Sequence, residues 1–227
     1  MKLSIIIPSF NEVKTIKEIL KRVKLVDVGM SKEIIIVDDF STDGTRRVLE
    51  NLKDNEIKLV YHHKNMGKGA SIRTGLAEAT GEIILIQDAD LEYDPSEYPQ
   101  LLRPIMDGCA DVVYGARPLG PHMVMPFTHL LGNQVLTNLI NILHNTSLTD
   151  METGYKVFKS HVLKNLKIRS NGFNFEAEVT IKVLKRGFRI FEVPISYYGR
   201  TYAEGKKIGW KDGLFAIWAI IKYRFVD

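Results

Sequence analysis

Short apolar runs alternate with amphipathic stretches through the first half of the chain. Residues 3–7, 33–37, 57–61, 82–87 and 112–114 are dominated by Ile, Leu and Val and are too short for helices. Runs of that length and composition predict buried strands. Between the first two, residues 13–26 place Ile16, Ile19, Leu20 and Val23 at helical spacing. Ser41-Thr42-Asp43-Gly44-Thr45 predicts a turn and a helix cap leading to a helix that ends near residue 52, and residues 70–79 predict a third helix. Strands alternating with helices in this way predict βαβ units and a mainly parallel sheet, an α/β fold with helices on its flanks.

The pattern changes after Arg117. Pro118, Gly120, Pro121 and Pro126 predict a mobile loop over 118–126. Residues 129–144 are amphipathic, with Leu131, Val135, Leu139 and Leu143 four apart and Leu136 and Ile140 beside them. Val157-Phe158 predicts a short strand, 175–186 a helix, 188–193 a strand, and 211–225 a closing helix after a basic, glycine-punctuated loop at 198–208. The whole of 1–227 is expected to form one domain of two halves, 1–117 and 118–227.

Composition narrows the classes. The chain has 227 residues, 45% hydrophobic, enough for one sizeable core. A net charge of +4 and a pI near 9.0 do not by themselves imply nucleic acid. One cysteine excludes an intrachain disulfide and a Cys-rich zinc site. It fits a reducing, cytoplasmic compartment, with Cys109 expected to pack as a structural residue. No stretch approaches the length of a membrane-spanning helix. Residues 1–8 read as a first strand and not as a signal peptide, because the apolar core is short and Pro8 and Glu12 follow at once.

The chemistry gathers where the strands end. The 82–87 run leads into Gln87-Asp88-Ala89-Asp90-Leu91-Glu92, with carboxylates at alternating positions. Ionised carboxylates are costly inside a strand but can converge at its carboxyl end. Hard oxygen ligands of this kind suit Mg²⁺ or Mn²⁺, ions that usually also hold substrate phosphates. Parallel sheets bind ligands at the carboxyl ends of their strands. Three more polar loops fall there: Pro8 to Glu12, Asp38-Asp39, and Asn65-Met66-Gly67-Lys68-Gly69. The last fits neither nucleotide-loop motif. Ile72 stands at the third glycine of G-x-G-x-x-G, and a P-loop would need glycine at His62 and a hydroxyl residue at Gly69. The six histidines lack metal-ligand spacing, and no G-x-S-x-G elbow is present.

Taken together, these residues resemble the GT-A-fold family-2 glycosyltransferases, and within them the polyprenyl-phosphate (dolichyl-phosphate) hexosyltransferases. The matching stretches are Ile7-Pro8-Ser9-Phe10-Asn11-Glu12, Val37-Asp38-Asp39-Phe40-Ser41-Thr42-Asp43-Gly44-Thr45, Asn65-Met66-Gly67-Lys68-Gly69, Gln87-Asp88-Ala89-Asp90 and Tyr114-Gly115-Ala116-Arg117, with 150–156 and 200–213 beyond them. The resemblance implies a donor pocket lined by Pro8, Phe10, Glu12, Val37 and Asp39, with Lys68 and Ala89 alongside. It implies a Mg²⁺ or Mn²⁺ ion on Asp88 and Asp90, with Glu92 as a third ligand where some relatives carry Gln. Asp90 and Arg117 are the implied catalytic residues. Arg117, Arg200 and Lys206 would bind donor and acceptor phosphates, with 1–117 as the nucleotide-sugar-binding half and 118–227 as the acceptor-binding half.

The implied reaction is inverting transfer of a hexose, mannose from GDP-mannose being preferred, to a polyprenyl or dolichyl phosphate. UDP-glucose is the rival donor. A family-2 transferase acting on a sugar hydroxyl is another alternative, with Glu176 or Glu178 as its base. A nucleotide-sugar-binding protein without turnover is a third, against which the intact Asp88, Asp90 and Arg117 speak. The expected partners are the nucleotide sugar, the lipid phosphate and a membrane surface, with room for a membrane-protein partner and none for nucleic acid. Residues 130–143 and 214–226 combine apolar, aromatic and basic positions as interfacial helices do, and core packing accounts for the same pattern. The resulting expectation is a cytoplasmic enzyme lying on the membrane without the anchors that many relatives carry after this domain.

Overall fold

The computed structural model describes residues 1–52, 54, 56–124, 126–200 and 210–226. Seven strands form one sheet: β1 (Lys2–Ser9), β2 (Ser31–Asp38), β3 (Ile57–Tyr61), β4 (Ile83–Ile86), β5 (Val112–Ala116), β6 (Lys156–Lys159) and β7 (Ile190–Pro194). Their order is β3-β2-β1-β4-β6-β5-β7. All neighbours run parallel except β6, which lies antiparallel between β4 and β5. The helices are α1 (Ile16–Leu25), α2 (Thr45–Glu50), α3 (Lys68–Glu78), α4 (Tyr98–Met106), α5 (Phe127–His144), α6 (Ser160–Asn165), α7 (Phe175–Lys185) and α8 (Trp210–Phe225).

The continuous apolar runs reflect burial on both faces, because successive side chains of a strand point to opposite sides. In β1, Leu3, Ile5 and Ile7 join Ile16, Ile19, Leu20 and Val23 of α1 on one face. Ile6 joins Ile72 of α3 and the layer of α5, α7 and α8 on the other. Val37 belongs to that second core with no exposed surface. Its side chain therefore packs inside the core.

Differences from the expected elements have local causes. The sequence pattern missed α4, whose apolar face (Tyr98, Leu101, Leu102, Ile105) is interrupted by Pro99 and Pro104. Residues 118–126, expected as a mobile loop, carry a 3₁₀ turn over Arg117–Leu119 and a bridge from His122 to Tyr197. Cys109 is exposed in the turn after α4 and does not pack. Helices α5 and α8 each bury one edge, Leu136 and Ile140 in the first, Ala216, Ala219, Ile220 and Tyr223 in the second. Each leaves a second apolar face outside: Phe127, Leu130, Leu131, Val135 and Ile142, and Leu214, Phe215, Trp218, Ile221 and Phe225. Among the described residues, no helix is long and apolar enough to cross a membrane.

Candidate active site at the carboxyl edge of the sheet

The crossovers from β1 run toward β2 and β3, while β4 lies on its other side. Open α/β sheets leave a crevice at such a switch, outside the strand carboxyl ends. The loops after β1, β2, β3 and β4 all emerge there. Three non-glycine residues in them hold left-handed backbone: Asn11 (φ 53°), Phe40 (φ 65°) and Leu91 (φ 64°). That conformation is rare for a branched residue such as Leu91, which separates Asp90 from Glu92.

The first two loops are laced together. Asn11 accepts from the Thr42 N–H at 2.8 Å and its own N–H donates to Ser41 Oγ at 2.9 Å. The Glu12 N–H donates to Thr45 Oγ1 at 2.9 Å, and Ser9 O accepts from the Asp39 N–H at 2.8 Å. Phe10 sits half-buried in this lacing, one residue beyond the end of β1, where Pro8 pairs with Val37. Asp39, expected to face the donor, organises the loop after β3. Its carboxylate accepts from the Met66 N–H at 2.8 Å and the Gly67 N–H at 2.7 Å. His62 Nδ1 lies 2.7 Å from it, and His62 Nε2 is 3.0 Å from Thr74 Oγ1. Asp38 takes the Arg46 guanidinium at 2.8 Å, which lies 4.9 Å from the Tyr61 ring centroid.

Lys68 opens α3 with its ammonium between two carboxylates, 2.8 Å from Asp88 and 3.0 Å from Glu176. Burial opposes its charge, yet the two carboxylates hold its pKa well above that of an ordinary lysine. The flanking glycines do not cradle a ligand. A Cβ on Gly67 would stand 2.5 Å from Asn171 O, and one on Gly69 would collide with Ser170 O. They permit α3 to start flush against the turn that leads into α7 and Glu176.

The other carboxylates meet Arg200. Its Nη2 lies 2.9 Å from Asp90 Oδ2 and its Nη1 3.1 Å from Glu12 Oε2. Its N–H donates to Glu92 Oε1 at 3.0 Å. Tyr197 donates its hydroxyl to the other Glu92 oxygen at 2.9 Å. Among the described residues, Asp88, Asp90 and Glu92 thus do not form a ready cluster of metal ligands. Protein cations and a tyrosine occupy them. Burial, then the charges of Asp88 and Glu92, push the Asp90 pKa up to about 7 against the opposing pull of Arg200.

Beneath this acidic turn lies a pack of tyrosines that sequence reasoning did not foresee. Gln87 Oε1 accepts from the hydroxyls of Tyr98 and Tyr155, both at 2.8 Å. Tyr93 stacks on Tyr155 with ring centroids 4.8 Å apart, and its oxygen accepts from the Gly154 N–H at 2.9 Å. Gly154 has no room for a side chain, because its Cβ would fall inside the Asp88 carboxylate. Ala89 is buried in the core beside Tyr93.

Arg117 was expected to clamp an acceptor phosphate. It is buried, with Nε 2.7 Å and Nη2 2.8 Å from the two oxygens of Asp150, and it lies over the Tyr197 ring at 5.1 Å. This bidentate pair braces the 150–154 segment. Lys156 is likewise internal, donating to Met151 O and Thr153 O, and burial draws its pKa down to about 8. Glu178 is fully buried and serves as an anchor for Lys182 and for the N–H groups of Arg169 and Ser170. Glu176 differs, since its Oε2 is buried without a partner beside Lys68. Lys206 lies outside the described residues.

The match to known proteins decides what this edge belongs to. Residues 4–167 match the model of glycosyl transferase family 2. The chain is a family-2 glycosyltransferase. It is 28% identical over 92% of its length to the dolichol-phosphate mannosyltransferase of Pyrococcus furiosus, of which it spans 60%. It is also 28% identical to the undecaprenyl-phosphate mannosyltransferase of Micrococcus luteus, covering 92% of this chain and 88% of that one. The fold is that of glucosyl-3-phosphoglycerate synthase from Mycobacterium tuberculosis, solved with Mn²⁺, UDP and phosphoglyceric acid. The TM-score is 0.77 at 18% identity, over all of this chain and 79% of that one. The seven-stranded, mostly parallel sheet of this glycosyltransferase is therefore of the GT-A type.

Proposed function

We propose that this glycosyltransferase moves a hexose, preferably mannose from GDP-mannose, onto the phosphate of a polyprenyl or dolichyl lipid, with inversion at the anomeric carbon. The observation that carries the reading is the charge set at the crevice. Two carboxylates, Asp88 and Asp90, sit beside two cations, Lys68 and Arg200, at the end of β4. A nucleoside diphosphate with its metal carries the complementary set.

The residues present fit a divalent cation. The donor set is hard oxygen, and the acidic turn is crowded enough to push Asp90 upward. Asp88 and Asp90 would hold Mg²⁺ or Mn²⁺, with Glu92 as a further oxygen donor. Bound there, the ion would neutralise charge on the departing diphosphate. Lys68 and Arg200 are the protein's own groups for that charge, Arg200 through a planar fork matched to two phosphate oxygens. The bond from the anomeric carbon to the diphosphate breaks as a bond to the acceptor oxygen forms. An acceptor phosphate is already an anion, so no general base is required. Phe10, Pro8 and Glu12 would border the nucleoside.

The acceptor half supplies the lipid side of this reading. Thr137 of α5 accepts from the Met151 N–H at 3.2 Å, which ties an apolar helix to the segment abutting Asp88. Phe127, Leu131 and Val135 of α5, with Phe215 and Trp218 of α8, would rest on the membrane surface and receive the lipid chain. The enzyme would act there as a peripheral protein on the cytoplasmic face.

Calorimetry with Mn²⁺ and either GDP-mannose or UDP-glucose, followed by transfer to polyprenyl phosphate, tests the proposal. GDP-mannose binding and transfer, both lost in Asp90→Ala, are expected. Preference for UDP-glucose moves the donor assignment to glucose, and binding of neither overturns the reading. One observation favours a second reading, transfer to a hydroxyl: the unpartnered Glu176 Oε2 could take the hydroxyl proton. Glu176→Gln would then lower turnover by about 10²–10⁴-fold, with no such loss toward a lipid phosphate.

A further inference from the structure

We infer that Arg200 holds the acidic seat in the ligand-free enzyme and is exchanged for the divalent ion, so that metal and nucleoside diphosphate bind as a coupled pair. The inference rests on the metal and donor reading given above. Arg200 is the one described cation that touches three carboxylates from two loops, with Nη2 2.9 Å from Asp90, Nη1 3.1 Å from Glu12 and Nε 3.5 Å from Glu92. Its side chain is 17% exposed. Its Nε is buried without a hydrogen-bond partner, so the fork is held by charge more than by ideal geometry.

The Arg200 guanidinium sits on the same carboxylates that a metal would use. A divalent ion arriving alone on Asp90 and Glu92 competes with Arg200, whose side chain on release keeps Glu12. Repulsion between the ion and the guanidinium, close together in a partly buried site, adds to that cost. A diphosphate removes both penalties. It offers the released fork a bidentate partner and places negative charge between the two cations. Each ligand therefore raises the other's affinity by the same factor, as linkage requires. Lys68 meets both oxygens of Asp88, at 2.8 and 3.0 Å, and keeps Glu176 as a partner when an ion reaches Asp88.

The test is Mn²⁺ binding, followed by the electron paramagnetic resonance signal of free Mn²⁺. It is run on wild type, Arg200→Gln and Arg200→Lys, each alone and with GDP or UDP. Wild type is expected to bind Mn²⁺ at least tenfold more tightly with nucleoside diphosphate than without. Arg200→Gln is expected to bind Mn²⁺ alone at least tenfold more tightly than wild type, and the enhancement by nucleotide to shrink at least tenfold. Arg200→Lys, whose compact charge cannot span three carboxylates, falls between them and covers the case of a glutamine variant that folds poorly. Equal Mn²⁺ affinity in all three proteins without nucleotide, with the enhancement intact, overturns the exchange while leaving the donor site standing. No Mn²⁺ binding by any of them with either nucleotide overturns the metal reading and the exchange together.

Discussion

Gly154→Ala is the sharpest probe of the site, because it adds one methyl group at a place the backbone itself would tolerate. Gly154 is not among the glycines with positive φ. On conformational grounds alone the substitution should stabilise the protein by about 0.4–1 kcal/mol through the unfolded chain. The new Cβ, however, would overlap Asp88 Oδ2 and reach 3.0 Å from the Tyr93 ring. Overpacking of this kind costs about 1–3 kcal/mol, so the net loss is at most about 2.5 kcal/mol. For a chain of this length that lowers Tm by roughly 10 °C or less, and the variant remains folded at assay temperature. The relief of the clash falls on Asp88, whose carboxylate must retreat by roughly 1 Å from the place where Lys68 holds it. Misplacement of that size costs about 100-fold in turnover, or about 2.7 kcal/mol at the transition state. The assay is transfer from nucleotide sugar, read with Mn²⁺ affinity and a thermal melt on the same preparation. Turnover within threefold of wild type and unchanged Mn²⁺ affinity would refute the placement of Asp88 against Gly154.

Other consequences of the structure are equally open to measurement. Asp150→Ala leaves the buried Arg117 guanidinium without its bidentate partner and should cost about 3–5 kcal/mol, seen as a large fall in urea midpoint; Arg117→Met added to it should recover part of the loss. Gly132 lies within α5, and a Cβ at that position would meet nothing within 4 Å, so Gly132→Ala should raise stability by up to about 1 kcal/mol without changing turnover. Glu33 is opposed by burial but drawn down to about 2 by Lys2, Ser4 and Thr80. A carboxyl lowered on folding contributes stability above its unfolded pKa of 4.5 that is lost as pH falls toward 2. Denaturant midpoints should therefore fall more steeply over that interval in wild type than in Glu33→Gln, and parallel curves would contradict the assignment.

Much of the first half of the fold was legible because its strands are buried on both faces and its helices carry a single apolar stripe. Residues 57–61 were placed to the residue, since Asn55-Glu56 before them and His62-His63 after them are polar. Helix α4 was not, because Pro99 and Pro104 read as breaks, although the first falls in the opening turn and the second packs into the core. The gathering of acidic residues near β4 was visible in the spacing of Asp88, Asp90 and Glu92. What those residues touch was not. Lys68 and Arg200 are separated by 132 positions, and only the sheet order brings them to one crevice. His62 carried no spacing signal, since its partners Asp39 and Thr74 come from two other elements. The position of Arg117 directly after a strand suggested a site residue, but no spacing could show that the distant Asp150 meets its fork.

The antiparallel β6 has a consequence for how the protein is made. It sits between β4 and β5, so both of those strands reach the ribosomal exit before the strand that joins them exists. At about 5–20 residues per second, the stretch from residue 117 to residue 159 takes roughly 2–8 s to synthesise. During that interval the nascent chain holds β4 with an unpaired edge and β5 without any sheet to enter. Open edges are where chains stick to one another. Completion of Lys156–Lys159 is therefore the commitment point of biosynthesis, and slow codons or chaperone contact just upstream of it would prolong the most vulnerable state of the chain.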